Sequence, residues 1–156
     1  MRIRAARPAD RPALLRLNAE LQEVERRFRP IRRPGDEMTE EYWAFTENRV
    51  AAHDGAILVA EDADGIAGVC VCYVDADLLD SIRPELCVQD LIVAARARGH
   101  GVGRALVAAA EAHARTRGIV RIVVTAMIAN TAAMETYRAL GYAPQFTTFE
   151  RMLETP

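Results

Sequence analysis

At 156 residues, the chain is one domain's worth of sequence, long enough to bury a core. With 51% hydrophobic residues, 27% charged residues and a net charge of -2, it has an ordinary globular composition, without the excess charge that favours nucleic acid or lipid surfaces. All 20 basic residues are Arg, so no side chain here can be lysine-acylated.

In chain order, IRAA near residue 3 reads as a first strand. ADRPALLRLNAELQEVERRF follows as a helix, with Leu14, Leu17, Leu21 and Val24 on one face, Asp10 as N-cap and Pro12 in the first turn. RPIRRPGDEM is a Pro- and Arg-rich loop. TEEYWAFTENRVAAH reads as a second helix capped by Thr39, with Tyr42, Phe45 and Val50 inward. AILVAED and IAGVCVCYV flank the turn DADG as a hairpin, DADLLDSIRP is a loop, and ELCVQDLIVA is a longer strand. GRALVAAAEAHARTRG is a helix closed by Gly118, and IVRIVVTAM is a strand rich in β-branched residues. ANTAAMETYRALG is a helix stopped by Gly141, and FTTFERMLE is a last strand. The expected fold is α/β, a single domain over residues 1–156 with a mixed sheet.

Cys70, Cys72 and Cys87 form no CxxC pair, and one would be left over from any disulfide. Cys70 and Cys72 share a strand face, where such neighbours pack as small apolar residues. The first residues lack an apolar signal core, and no window reaches membrane-spanning length. The expectation is a reduced, cytoplasmic protein without membrane association. His53 and His113 belong to no cluster, so no metal is expected.

RARGHGVGRAL, residues 96–106, carries glycines at 99, 101 and 103 between a strand and a helix. The amides of such a turn and of the helix's first turn are unpaired donors, and the helix dipole adds positive charge there. Together they make an anion site, typically for phosphate, which side-chain-free positions let reach the backbone. Arg96, Arg98 and Arg104 add charge around it. The GxGxxG dinucleotide fingerprint fails at Arg104, and a P-loop is impossible without Lys.

QDLIVAARARGHGVGRAL resembles the pyrophosphate loop of the GNAT family, the Gcn5-related N-acetyltransferases: Arg98-x-x-Gly101-x-Gly103, five residues after Val93. ANTAAMETYRALGY resembles the same family's later motif, through Asn130, Ala133, Tyr137, Gly141 and Tyr142. The element order matches over nearly the whole chain. The resemblance implies a GNAT-like acyl-CoA N-acyltransferase fold, its mostly antiparallel sheet flanked by helices, with acetyl-CoA as donor. It implies that the central strand splays from its neighbour. Pantetheine would then pair with the backbone of Leu91, Ile92 and Val93, and pyrophosphate would sit on the amides of Arg98, Gly99, His100, Gly101, Val102 and Gly103, beside Arg104.

Acetyl transfer needs a neutral amine held against a thioester carbonyl, a route for the amine proton, and a proton for the leaving thiolate. The resemblance places Tyr137 near the CoA sulfur as general acid, on a helix face shared with Asn130, Ala133 and Met134. Asn130 serves as helix cap, as CoA ligand, or as both. His100 is expected to face solvent beside the phosphates. Many relatives carry Glu-Asp on the central strand where this chain has Gln89-Asp90. Gln takes no proton at neutral pH. Asp90 remains as base, opposite in face to Gln89 by strand alternation unless a bulge intervenes. A buried structural carboxylate is the competing reading of Asp90. Glu85, Cys87, a low-pKa amine or a water chain are the alternatives.

In the family the first two helices shape the acceptor site. Here that segment holds Glu20, Glu23, Glu25, Asp36, Glu37, Glu40 and Glu41, and also Arg26, Arg27, Arg29, Arg32 and Arg33. Carboxylates suit a cationic amine and arginines suit a carboxylate-bearing acceptor, while a solvated face is the plain reading of each single residue. Tyr42 and Trp43 are an apolar wall or core. The acceptor is a small-molecule amine or a peptide amine, the former favoured. No nucleic acid is expected, since the Arg residues are scattered and balanced by acid. Relatives often dimerise through C-terminal strands, and FTTFERML is a candidate homodimer edge. The rivals are a transferase of the same fold that uses another acyl-CoA, for example a longer one, and, from a different class, a CoA-binding regulatory domain without turnover.

Overall fold

The computed structural model describes residues 1–76, 80 and 84–153; most of the predicted loop 75–84 lies outside them. The chain divides into two compact units, Met1–Thr125 and Ala126–Pro156.

The first unit contains β1 (Arg2–Ala5), α1 (Arg11–Arg26), α2 (Gly35–Ala52), β2 (Ala56–Asp62), β3 (Gly65–Asp75), β4 (Glu85–Val93), α3 (Val102–Arg115) and β5 (Arg121–Val124). The strands form one sheet in sequential order, antiparallel from β1 to β4 and parallel between β4 and β5. The mixed, mostly antiparallel sheet is thus as the sequence implies. A two-residue turn joins β2 to β3, α1 and α2 lie between β1 and β2, and the one parallel step is bridged by α3, as a crossover requires.

Each face of the sheet carries its own core. Cys70, Cys72, Leu86 and Val88 pack with Val102, Leu106 and Ala110 of α3. Val59, Val69, Val71 and Ile92 pack with Leu14 and Leu17 of α1 and Trp43 of α2. Trp43 is essentially inaccessible, and deleting a core aromatic of this kind costs about 3–5 kcal/mol. Cys70 and Cys72 are free and buried on one face, packing as small apolar side chains.

Three sequence expectations shift in this unit. The second helix begins at Gly35, four residues before Thr39. Pro34 stands just outside the helix, where its missing N–H costs nothing, and Asp36 and Glu37 suit the positive end. A Cβ on Gly35 would lie 2.7 Å from the Ala19 carbonyl oxygen, so this start is locked by close backbone approach to α1. Among the described residues of α2, Trp43 and Thr46 have buried side chains, whereas Phe45 is half exposed. The helix sits rotated from the face that the aromatics alone suggest. Asp10 stands at the N-terminus of α1, but its carboxylate turns back. It accepts from the Arg7 amide at 2.7 Å and from the Arg4 guanidinium at 2.6 and 2.9 Å. A bidentate charged donor outcompetes a neutral capping amide.

The second unit contains α4 (Thr131–Ala139). Asn130 caps it, its Oδ1 accepting from the Ala133 amide at 3.2 Å. Its C-terminus closes with Gly141 at φ +91°, the Gly141 amide donating to Arg138 and the Tyr142 amide to Tyr137. That left-handed closure is why glycine stands at 141. The described part of the predicted last strand, residues 146–153, forms no strand. Its alternating pattern meets no ladder partner there, and Phe146 and Phe149 stay almost fully exposed. No described helix is long and apolar enough to cross a membrane.

Candidate functional site

The two ends of the central strand β4 present different chemistry. At its C-terminal end, pairing with β5 stops at Val88–Val124, while β4 runs on to Val93. Leu91, Ile92 and Val93 therefore have β3 on one side and no ladder on the other.

Beyond Val93 the chain makes a short 3-10 turn, Ala95–Ala97, then the glycine loop. Gly99 and Gly101 hold φ +76° and +78°, and a Cβ on either would meet nothing within 4 Å. These glycines answer a left-handed backbone and border open space, rather than making room for the protein itself. The first bond of α3 runs from the Ala105 amide to the Gly101 carbonyl. Among the described residues, the amides from Gly99 to Arg104 have no backbone acceptor. They form a set of donors at the positive end of a fourteen-residue helix. The Arg98 guanidinium folds back to the Val93 carbonyl at 3.1 Å, bracing the loop against the strand. His100 is exposed, its Nδ1 2.8 Å from the Arg98 carbonyl, as expected for a loop residue. Arg96 departs from the expectation: it is tied to Asp62 at 2.7 Å, so its charge is spent within the protein.

Midway along β4 a bulge changes the reading of Gln89 and Asp90. Val71 pairs with Asp90, but Cys72 pairs with Val88, leaving Gln89 as the extra residue. Strand alternation puts these two side chains on opposite faces; the bulge puts both toward α2. Leu86 and Val88 therefore face α3 before the bulge, and Leu91 and Val93 face it after.

On the α2 side the two residues enter one hydrogen-bonded group. The Tyr42 hydroxyl donates to the Asp90 carboxylate, 3.0 and 3.1 Å from its oxygens. The Gln89 amide nitrogen donates to Tyr42 Oη at 3.1 Å and Thr46 Oγ1 at 3.0 Å, and lies 3.4 Å from Asp90. The Gln89 carbonyl accepts from Arg49 at 3.4 Å. Asp90 is 7% exposed, and burial raises its pKa above the ordinary carboxylate value against the lowering effect of Tyr42, Gln89 and Arg32. Tyr42 is raised well above a free phenol by burial and by the neighbouring Asp90 charge, so it stays a donor.

Glu25 lies close enough for its charge to feel Asp90, and burial raises its pKa too. It pairs with Arg32 at 3.0 Å, and Arg32 reaches the buried Gln22 at 3.4 Å. Of the other acidic and basic residues noted on this segment, Glu23–Arg26 and Glu41–Arg33 are exposed surface pairs, and Glu40 pairs with Arg11. Trp43 is core, not wall.

The other candidate bases are less suited. Glu85 is paired with Arg121 at 2.8 Å. The Cys87 thiol is pushed up to about 12 by burial and by Glu85, so it is protonated at neutral pH. A cleft of about 360 Å3 lined by Arg16, Leu17, Ile66 and Ala94–Arg96 contains none of these candidate bases. In the second unit, Asn130 performs its capping role, and Tyr137 packs edge-on against Tyr142 with ring centres 5.9 Å apart.

Sequence reasoning missed Thr46 and Arg49. With Tyr42 they recur at i, i+4 and i+7, a polar stripe on one face of α2 that was readable once that face was known to be covered.

A model of the acetyltransferase (GNAT) family matches residues 18–142. Among solved structures, a tetramutant of the BH1408 protein from Bacillus halodurans is 25% identical with a TM-score of 0.84, covering 98% of this chain and 100% of that one. A transcriptional regulator from Bacillus halodurans C-125 is 21% identical with a TM-score of 0.78, covering 97% and 99%. Glucosamine-6-phosphate N-acetyltransferase from Arabidopsis thaliana is 18% identical with a TM-score of 0.71, covering 98% of each chain. No curated protein sequence matches significantly.

Proposed function

Since the chain belongs to the GNAT family of acetyltransferases, we propose that it transfers an acetyl group from acetyl-CoA to a small primary amine by direct attack in a ternary complex. The observation that carries the donor half is the run of unpaired amides from Gly99 to Arg104 beside the unladdered end of β4. Those groups fit an elongated ligand with a diphosphate: strand backbone for its amide-bearing arm, loop and helix amides for its anion. When bound, acetyl-CoA supplies an acetyl thioester.

The chain's own residues do the rest. Leu91 and Val93 offer backbone groups to the pantetheine arm, and the loop amides hold the phosphates. Asp90 takes the amine proton. Its raised pKa brings it nearer to the working range of a base, and Tyr42 and Gln89 fix its carboxylate. Tyr137 donates a proton to the departing thiolate, a role carried over from the motif Asn130–Tyr142. A small amine as acceptor is in line with the structural relative that acts on glucosamine 6-phosphate. We place the reaction in the cytoplasm, consistent with three free cysteines.

The test is calorimetric titration with acetyl-CoA, followed by thiol release across a panel of amines, for the native chain and Tyr137→Phe. Tight binding in both, with turnover reduced in Tyr137→Phe by about 10²-fold or more, is the expected result. Acetyl-CoA binding without thiol release from any amine would instead favour a CoA-sensing module.

A further inference from the structure

Arg49 stands out among the residues around Asp90. Its guanidinium carbon lies 4.5 Å from the Phe45 ring centre and 4.9 Å from the Tyr73 ring centre, so the cation is clamped between two aromatics. Its polar contacts are the Tyr73 hydroxyl at 3.3 Å and the Gln89 carbonyl at 3.4 Å, both neutral and both long. Among the described residues, no carboxylate lies within ion-pair distance of it. This contrasts with Arg26, Arg32 and Arg33, each matched to a glutamate. Arg49 is half-buried and Phe45 beside it is half exposed, so the guanidinium borders solvent.

Gln89 links this cation to the base. Its carbonyl faces Arg49 and its amide nitrogen faces Asp90, so guanidinium and carboxylate stand two hydrogen bonds apart across one amide group. A Glu at position 89 would neutralise Arg49. The Gln found there holds the guanidinium in place and leaves its charge unspent. A clamped guanidinium is suited to carboxylate or phosphate, because its planar donors match their oxygens.

We propose that Arg49 sets acceptor specificity, and that the acceptor is a short zwitterion: a primary amine that also carries a carboxylate or phosphate. The amine is directed to Asp90 and the anion to Arg49. This rests on the reading of Asp90 as the base side of an acetyltransferase.

The test uses matched pairs: α-amino acids against the same amines lacking the carboxylate, and O-phosphoethanolamine against ethanolamine. Thiol release from acetyl-CoA is followed, together with calorimetric binding of each amine to CoA-saturated protein. The expected result is a preference of about 10- to 100-fold for the anion-bearing member of at least one pair. Arg49→Met removes that preference while acetyl-CoA affinity stays unchanged. Gln89→Glu, which keeps Arg49, also reduces it. The carboxylate and phosphate pairs show which anion is used. Equal or better use of the uncharged-bodied amines, a preference surviving in Arg49→Met, or no binding or turnover of any anion-bearing amine would overturn the proposal. If zwitterions bind through Arg49 without thiol release from any amine, the acceptor assignment stands as a binding site and the transferase reading falls instead.

Discussion

The glycine loop and the β4 bulge sit at neighbouring points of one strand and are built in opposite ways. The loop presents backbone: among the described residues its amides from Gly99 to Arg104 lack a backbone acceptor, while His100 is exposed, Arg98 is turned back and Val102 anchors it in the core. The bulge region acts through side chains drawn from distant positions: Tyr42, Thr46 and Arg49 on α2, Gln89 and Asp90 on β4. A backbone site depends on local conformation and tolerates few substitutions within it. A side-chain site depends on packing between elements, and its members are separately tunable. In the function proposed above, the donor uses the first construction and the acceptor the second.

The largest effect expected from this contrast is at Gly101. Gly101→Glu forces a φ of +78° on an L-residue, at about 1–2 kcal/mol, and sets a negative charge at the proposed phosphate site. Acetyl-CoA affinity in calorimetry should fall by more than about 100-fold, while the backbone strain lowers Tm by about 2–8 °C and leaves the protein folded. If Gly101→Glu binds acetyl-CoA normally, the loop is not the donor site.

Asp90→Asn is next. Turnover should drop by about 10²- to 10⁴-fold while acetyl-CoA affinity holds, which separates the two regions by experiment. The pH profile sharpens the point. As base, Asp90 must be ionised, so kcat/KM rises with pH through its pKa, which burial places above the usual carboxylate value. The Tyr42 hydrogen bond favours the ionised form and lowers that pKa. Tyr42→Phe should therefore move the rising limb to higher pH. A limb that stays put, or one that persists in Asp90→Asn, would take the base role away from Asp90.

The smallest effect lies outside both regions and serves as a control. Asp10, held at about 2 by Arg4 and the Arg7 amide, is ionised in the fold well below its unfolded value of about 3.9. A depressed carboxylate stabilises the fold above the unfolded pKa, and that contribution is lost as pH falls through the folded one. Asp10→Asn should lower Tm at neutral pH and flatten its dependence between about pH 4 and 2, leaving acetyl-CoA affinity and turnover unchanged.

The same contrast governs what could be read in advance. RGHGVGRAL declares its turn because two of its glycines answer a local backbone demand, and the strand before it and the helix after it follow from periodicity. Asn130 and Gly141 declare the ends of α4 for the same reason: a cap is a contact within four residues. The start of α2 was not legible, because Gly35 is chosen by its approach to Ala19 on another helix. Nor was the fate of FTTFERM: alternation proposes a strand, but a strand exists only where another edge receives it.

What the sequence alone determined, then, is the family, the order of elements apart from the last strand, and the glycine loop, all of which rest on short-range chemistry. Only the tertiary structure decided the hydrogen-bonded group around Asp90. A single extra residue in β4 turned Gln89 to the same face as Asp90, and the packing of α2 on that face brought Tyr42, Thr46 and Arg49 to meet them. A bulge is set by the register of two strands, and register is a property of their pairing, which neither strand carries by itself.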